Sequence, residues 1–168
     1  MPVSVLKKAN EVVISRTGEK FFQKFISPDF DLTKHDSSGE YRMVYDFYMP
    51  DRPYVNTQIL FSVDSTGKLD KGKDIIGIPN CNDHPQECRF NINESQAVKI
   101  AKSAGLVKGI KPWKTGFMWN QKLRRYVWHV LSITSESNDS TGYKGKGEEM
   151  IVAPDNGDIL EFNNWHIN

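Results

Sequence analysis

Cysteine is scarce in this chain, with two in 168 residues, and no window approaches the roughly 18 uncharged apolar residues that a membrane-spanning helix needs. The first scarcity excludes a disulfide-dense scaffold or paired zinc knuckles, and the second excludes a helical span. Charge of one sign is also missing. Lys+Arg of 22 against Asp+Glu of 21 leaves a formal +1, which offers no bulk attraction to nucleic acid or anionic lipid. The densest basic patch, Lys122, Arg124 and Arg125 beside Trp119 and Tyr126, reads as a solvated hairpin tip. Met1 to Lys8 lacks the apolar segment of a signal peptide.

Catalytic signatures are absent as well. None of the four histidines, His35, His84, His129 and His166, stands in a His-Glu-x-x-His motif or near a Gly-x-Ser-x-Gly elbow. The run Gly142 to Gly147 resembles a phosphate cradle in composition, but a strand follows it rather than a helix. Asp64 and Asp155 sit in turns where aspartate bonds its own backbone. No motif calls for a cofactor, and enzyme activity is not expected.

What the chain does contain is periodicity. Val5, Leu6, Ala9, Val12 and Val13 recur at helical spacing behind Pro2, Gly18 interrupts, and Phe21, Phe22, Phe25 and Ile26 share a second helical face before Pro28. Asp29 to Gly39 reads as a loop. Alternation then takes over: Tyr41, Met43, Tyr45 and Phe47 on one face of a strand, Val55, Thr57, Ile59, Phe61 and Val63 on a second, with Asp64-Ser65-Thr66-Gly67 as the turn that ends it. Asn93-Glu94-Ser95-Gln96 has the capping-box pattern of a helix start, and Gly105 stands where a helix should end. Strands are expected at Phe117 to Trp119, Tyr126 to Ile133 and Met150 to Ala153, a mobile loop from Thr134 to Gly147, and a tight turn at Asn156-Gly157. The order is helix, hairpin, helix, hairpin. The expected fold is α+β, with two helix-plus-antiparallel-hairpin units and helices on one side of the sheet, divided as 1–77, a connecting loop 78–91, and 92–168.

Three states are open to Cys81 and Cys88. A disulfide could close across the turn holding Asn82, Asp83 and Pro85; the thiols could be free; or Cys81, His84 and Cys88 could hold a metal in a cytosolic protein, although a structural zinc set wants a fourth ligand. A disulfide would imply an oxidising compartment: periplasm, cell surface or secreted. Trp113, Trp119, Tyr126 and Trp128 are the candidate binding residues, as an exposed aromatic platform or as the seam where two apolar sheet faces pack.

Three stretches, Ile92 to Ala101, Tyr126-Val127-Trp128-His129-Val130 and Ile151 to Ile159, resemble the PepSY family, with its alanine-bearing capped helix, Tyr-x-Val/Trp-x-Val strand and closing turn. In the first half Val63-Asp64-Ser65-Thr66-Gly67-Lys68-Leu69 matches the closing turn more fully than Ala153-Pro154-Asp155-Asn156 does in the second. The resemblance implies tandem PepSY-like units of cystatin-like shape, outside the cytoplasm, serving as a non-catalytic binding or regulatory module. Its expected partner is a secreted or cell-envelope peptidase or another protein, with no nucleic acid. The alternative is a small-molecule or lipid-binding module with a cavity between helix and curved sheet.

Overall fold

The computed structural model describes residues 1–140 and 142–167. It is α+β, with three α-helices and two antiparallel sheets. By contacts the chain divides into two compact units, Met1–Cys88 with Trp119–Arg125, and Arg89–Met118 with Tyr126–Asn168. Among the described residues no helix is long and apolar enough to cross a membrane.

The first unit begins with α1 (Val3–Thr17), which starts behind the extended Pro2 and buries Val5, Ala9, Val13 and Thr17 at intervals of four. Gly18 separates it from α2 (Glu19–Phe25). The apolar run then leaves the helix, because Ile26 adopts an extended backbone ahead of Pro28 and starts β1 (Ile26–Pro28). β1 and the two-residue β2 (Lys34–His35) lie along the same edge of β3 (Tyr41–Tyr48), and β4 (Asn56–Val63) pairs with its other edge. The segment expected as loop therefore carries a short strand. The β3–β4 register sets Met43 against Phe61 and Tyr45 against Ile59, and all four are buried. Tyr45 stacks on Phe61 at 5.7 Å, and its hydroxyl donates to Asn10 Oδ1 of α1 at 2.8 Å, which satisfies the one polar atom that ring carries inside. Burial holds the phenol well above its ordinary pKa.

In the second unit α3 (Glu94–Ser103) opens with the expected reciprocal cap: Gln96 N donates to Asn93 Oδ1 at 3.0 Å and Asn93 N to Gln96 Oε1 at 2.9 Å. The second sheet runs in the order β5 (Lys114–Asn120), β6 (Arg125–Asp139), β7 (Gly142–Val152), β8 (Ile159–Ile167). The expected loop from Thr134 to Gly147 is instead the outer half of the β6–β7 hairpin, paired from Ser135↔Lys146 to Asp139↔Gly142; Thr141 lies outside the described residues. Its Ser and Gly content misleads for a physical reason. A Cβ built on Gly147 would lie 1.9 Å from Ser132 O, so glycine is there for close backbone approach beside the register shift between Ile133 and Ser135. β8 was not expected as a strand at all: only Leu160, Glu161 and Trp165 of its nine residues are half-buried, and the rest are exposed.

Candidate functional site

Cys81 and Cys88 form a disulfide, with Cα atoms 5.5 Å apart, so neither thiolate is available to a metal with His84. The closed loop ends in a 3₁₀ turn, Pro85–Cys88, and is seated on α1. Asn82 N donates to the Arg16 carbonyl at 2.9 Å and Asn82 Nδ2 to the Ser15 carbonyl at 2.8 Å, two acceptors the helix end would otherwise leave open. Glu87 in this loop pairs with Arg125 at 3.3 Å.

The four candidate aromatics do not form one surface. Tyr126 and Trp128 are each 2% exposed and belong to the core of the second unit, so neither ring is presented to a partner. Tyr126 stacks on Phe117 at 5.1 Å, Phe90 meets both edge-on, and Trp128 lies edge-on to Phe117. The Trp128 indole donates to the Ile92 carbonyl at 2.7 Å, tying the strand to the residue just ahead of α3. Alternation of large residues on both faces of β6 could not tell a buried ring from an exposed one. Trp119 falls in the first unit, half-buried, with its indole on Gln121 Oε1 at 2.8 Å.

Trp113 is half-buried in the second unit and sits on a locked loop beside a depression of about 430 Å³. The Val107 carbonyl accepts from both Trp113 Nε1 (3.0 Å) and Ser132 Oγ (2.7 Å), while Ile110 N donates to the Ile133 carbonyl at 2.8 Å. These bonds hold Ile110, 61% exposed, at the surface beside the ring. On the other face of the sheet, His129 Nε2 meets Glu149 Oε2 at 2.8 Å across β6 and β7, and Asn163 Nδ2 donates to Glu149 Oε1 at 3.4 Å from β8. His129 is thus a half-exposed, hydrogen-bonded strand residue.

The feature that sequence reasoning missed is the outer edge of this sheet. β8 is the last strand in the order, nine residues long, and contains no lysine, arginine or proline. Ile159, Phe162 and Ile167 on it are 43%, 46% and 51% exposed. Edge strands are ordinarily blunted by such charges, by proline or by cover, and an unblunted one is a template for another strand. The apolar spacing Ile159, Phe162, Ile167 follows no single two-residue period, which is why alternation did not reveal it.

In comparisons with protein-family models and with curated proteins, nothing matched this chain.

Proposed function

We propose that the protein is a non-catalytic, extracytoplasmic binding or regulatory module of two PepSY-like units, cystatin-like in form, that acts on a secreted or cell-envelope peptidase by accepting an extended segment of it along β8. The observation that carries this reading is the open β8 edge, with its three exposed apolar side chains and no lysine, arginine or proline, its one carboxylate being the half-buried Glu161. Strand addition draws affinity from main-chain hydrogen bonds and specificity from alternate side chains. The disulfide agrees with an oxidising compartment. The tandem reading is supported by a shared device: in each unit the glycine of a strand-ending turn lies against the helix, Gly67 against Lys8 and Val5 of α1, Gly157 against Ile100 of α3.

The test is turnover of a peptide substrate by a secreted peptidase encoded beside this protein, and by thermolysin-type metallopeptidases, with and without the folded module. Turnover should slow, and Phe162→Lys, which places a charge on the edge, should relieve the slowing. Unchanged turnover across these enzymes removes the regulatory reading.

A further inference from the structure

The end of α1 and the disulfide loop border a polar depression of about 400 Å³, all of it within the first unit. Two guanidinium groups line it, Arg16 from the last turn of α1 and Arg124 from the Gln121–Arg124 turn, together with His84, Asn80 and Ser15. Among the described residues neither arginine side chain has a hydrogen-bond or ion-pair partner. Two carboxylates share the rim, and their state decides the local field. Glu87 is already paired with Arg125, and Asp83 Oδ2 accepts from Asn80 Nδ2 at 2.9 Å. That leaves two cations facing one anion. Burial first, and the positive charge of Arg124 second, hold the Arg16 guanidinium below its ordinary pKa, so the two cations oppose one another across the site.

Backbone geometry adds an independent observation. Arg124 has φ of +52°, the left-handed region that glycine occupies without strain, and yet the position carries a long cationic side chain. Strain of this kind persists where the surrounding structure holds it and tends to gather at binding sites. Leu123 N donating to Asn120 Oδ1 at 2.9 Å fixes the turn that imposes it.

We infer that the Arg16–Arg124 depression binds a dianionic oxyanion of the phosphate class. Planar guanidinium groups match tetrahedral oxyanions with parallel N–H donors, and a dianion offsets the repulsion between Arg16 and Arg124. The His84 imidazole lines the same depression as a third donor.

The experiment titrates the whole protein with sodium phosphate against sodium chloride at matched ionic strength, following backbone amide shifts and the thermal midpoint. Phosphate should give saturable shifts centred on residues 15–16, 80–84 and 123–124 and a higher midpoint, neither of which chloride reproduces. Arg124→Gly relieves the left-handed strain, so it should keep or raise the midpoint without ligand while weakening phosphate binding about tenfold or more; Arg16→Gln should weaken it likewise. Equal affinity for inorganic phosphate and glycerol phosphate identifies the free ion as the ligand, and tighter binding of the monoester identifies a phosphorylated one. No saturable phosphate response, or an unchanged affinity in Arg124→Gly, overturns the assignment.

Discussion

Helices α1 and α3 meet the same demand, a closed C-terminus and a firm seat on a sheet, by different means. α3 ends within its own chain: Gly105 N donates to the Lys102 carbonyl and Leu106 N to the Ala101 carbonyl, a Schellman arrangement with Leu106 tucked in at 5% exposure. α1 ends on Asn82, more than sixty positions away, carried to it by the disulfide loop. The turns that close β4 and β7 differ in the same sense. In the first unit Asp64 Oδ1 accepts from Thr66 N, Thr66 Oγ1 and Lys68 N, so one carboxylate organises the turn. In the second the corresponding position is Ala153, and Asn156 and Asp158 bind one another instead, at 2.6 Å. Equivalent geometry is thus reached through remote contacts and a carboxylate in one unit, and through neighbouring residues in the other.

Four changes would test how deep that difference runs. Gly67→Ala should have the largest effect, about 3 kcal/mol, because a left-handed backbone strain of about 1–2 kcal/mol combines with a Cβ placed 2.9 Å from Lys8 Cβ and 3.2 Å from Val5 Cα. Helix backbone cannot step aside. Urea unfolding of this variant should fall well below that of Gly157→Ala. Next, Cys81→Ala with Cys88→Ala should remove about 2.5 kcal/mol in the chain-entropy account of a short loop. Amide exchange should accelerate in the last turn of α1 and stay unchanged at the end of α3; equal acceleration in both helices contradicts the remote-cap argument.

Gly157→Ala should come third, at about 1–2 kcal/mol, since its Cβ would meet Ile100 Cδ1 at 2.8 Å, the tip of a side chain that can rotate. The smallest effect concerns acid. The Thr66 hydroxyl, then the Lys68 amide, hold the Asp64 carboxyl below its ordinary pKa. Its stabilising contribution is therefore complete above the unfolded-state value, near pH 4, and is lost as pH falls through the lower folded-state value. Asp64→Asn should flatten the acid limb of the unfolding midpoint. A steep limb surviving in Asp64→Asn would assign the acid sensitivity elsewhere, with Asp36, lowered by Ser38 and Glu40, the first alternative.

This contrast also sorts what could be read from the chain. The cap of α3, the β3–β4 pair and the Gly67 and Gly157 turns rest on neighbours within a few residues, and local chemistry announced them. The Asn82 cap and the two short strands on the β3 edge depend on partners far along the chain. The Thr134–Gly147 segment failed differently. Its glycines answer to steric closeness between strands, and composition alone cannot distinguish that from a flexible turn. Of the candidate binding residues, Trp113 is half-exposed, whereas Tyr126 and Trp128 are core; burial is a property of the packed sheet and not of a two-residue period.

The absence of a side chain at Gly147 lets the Trp165 indole reach over β7 and donate to the Ser132 carbonyl at 3.1 Å. One half-buried fluorophore therefore spans from the outermost strand to the third, while Trp128 stays enclosed with its own N–H bonded to Ile92. The pair amounts to an optical gauge with an internal standard: a segment seated along β8 would shift the emission of Trp165 and leave that of Trp128 in place.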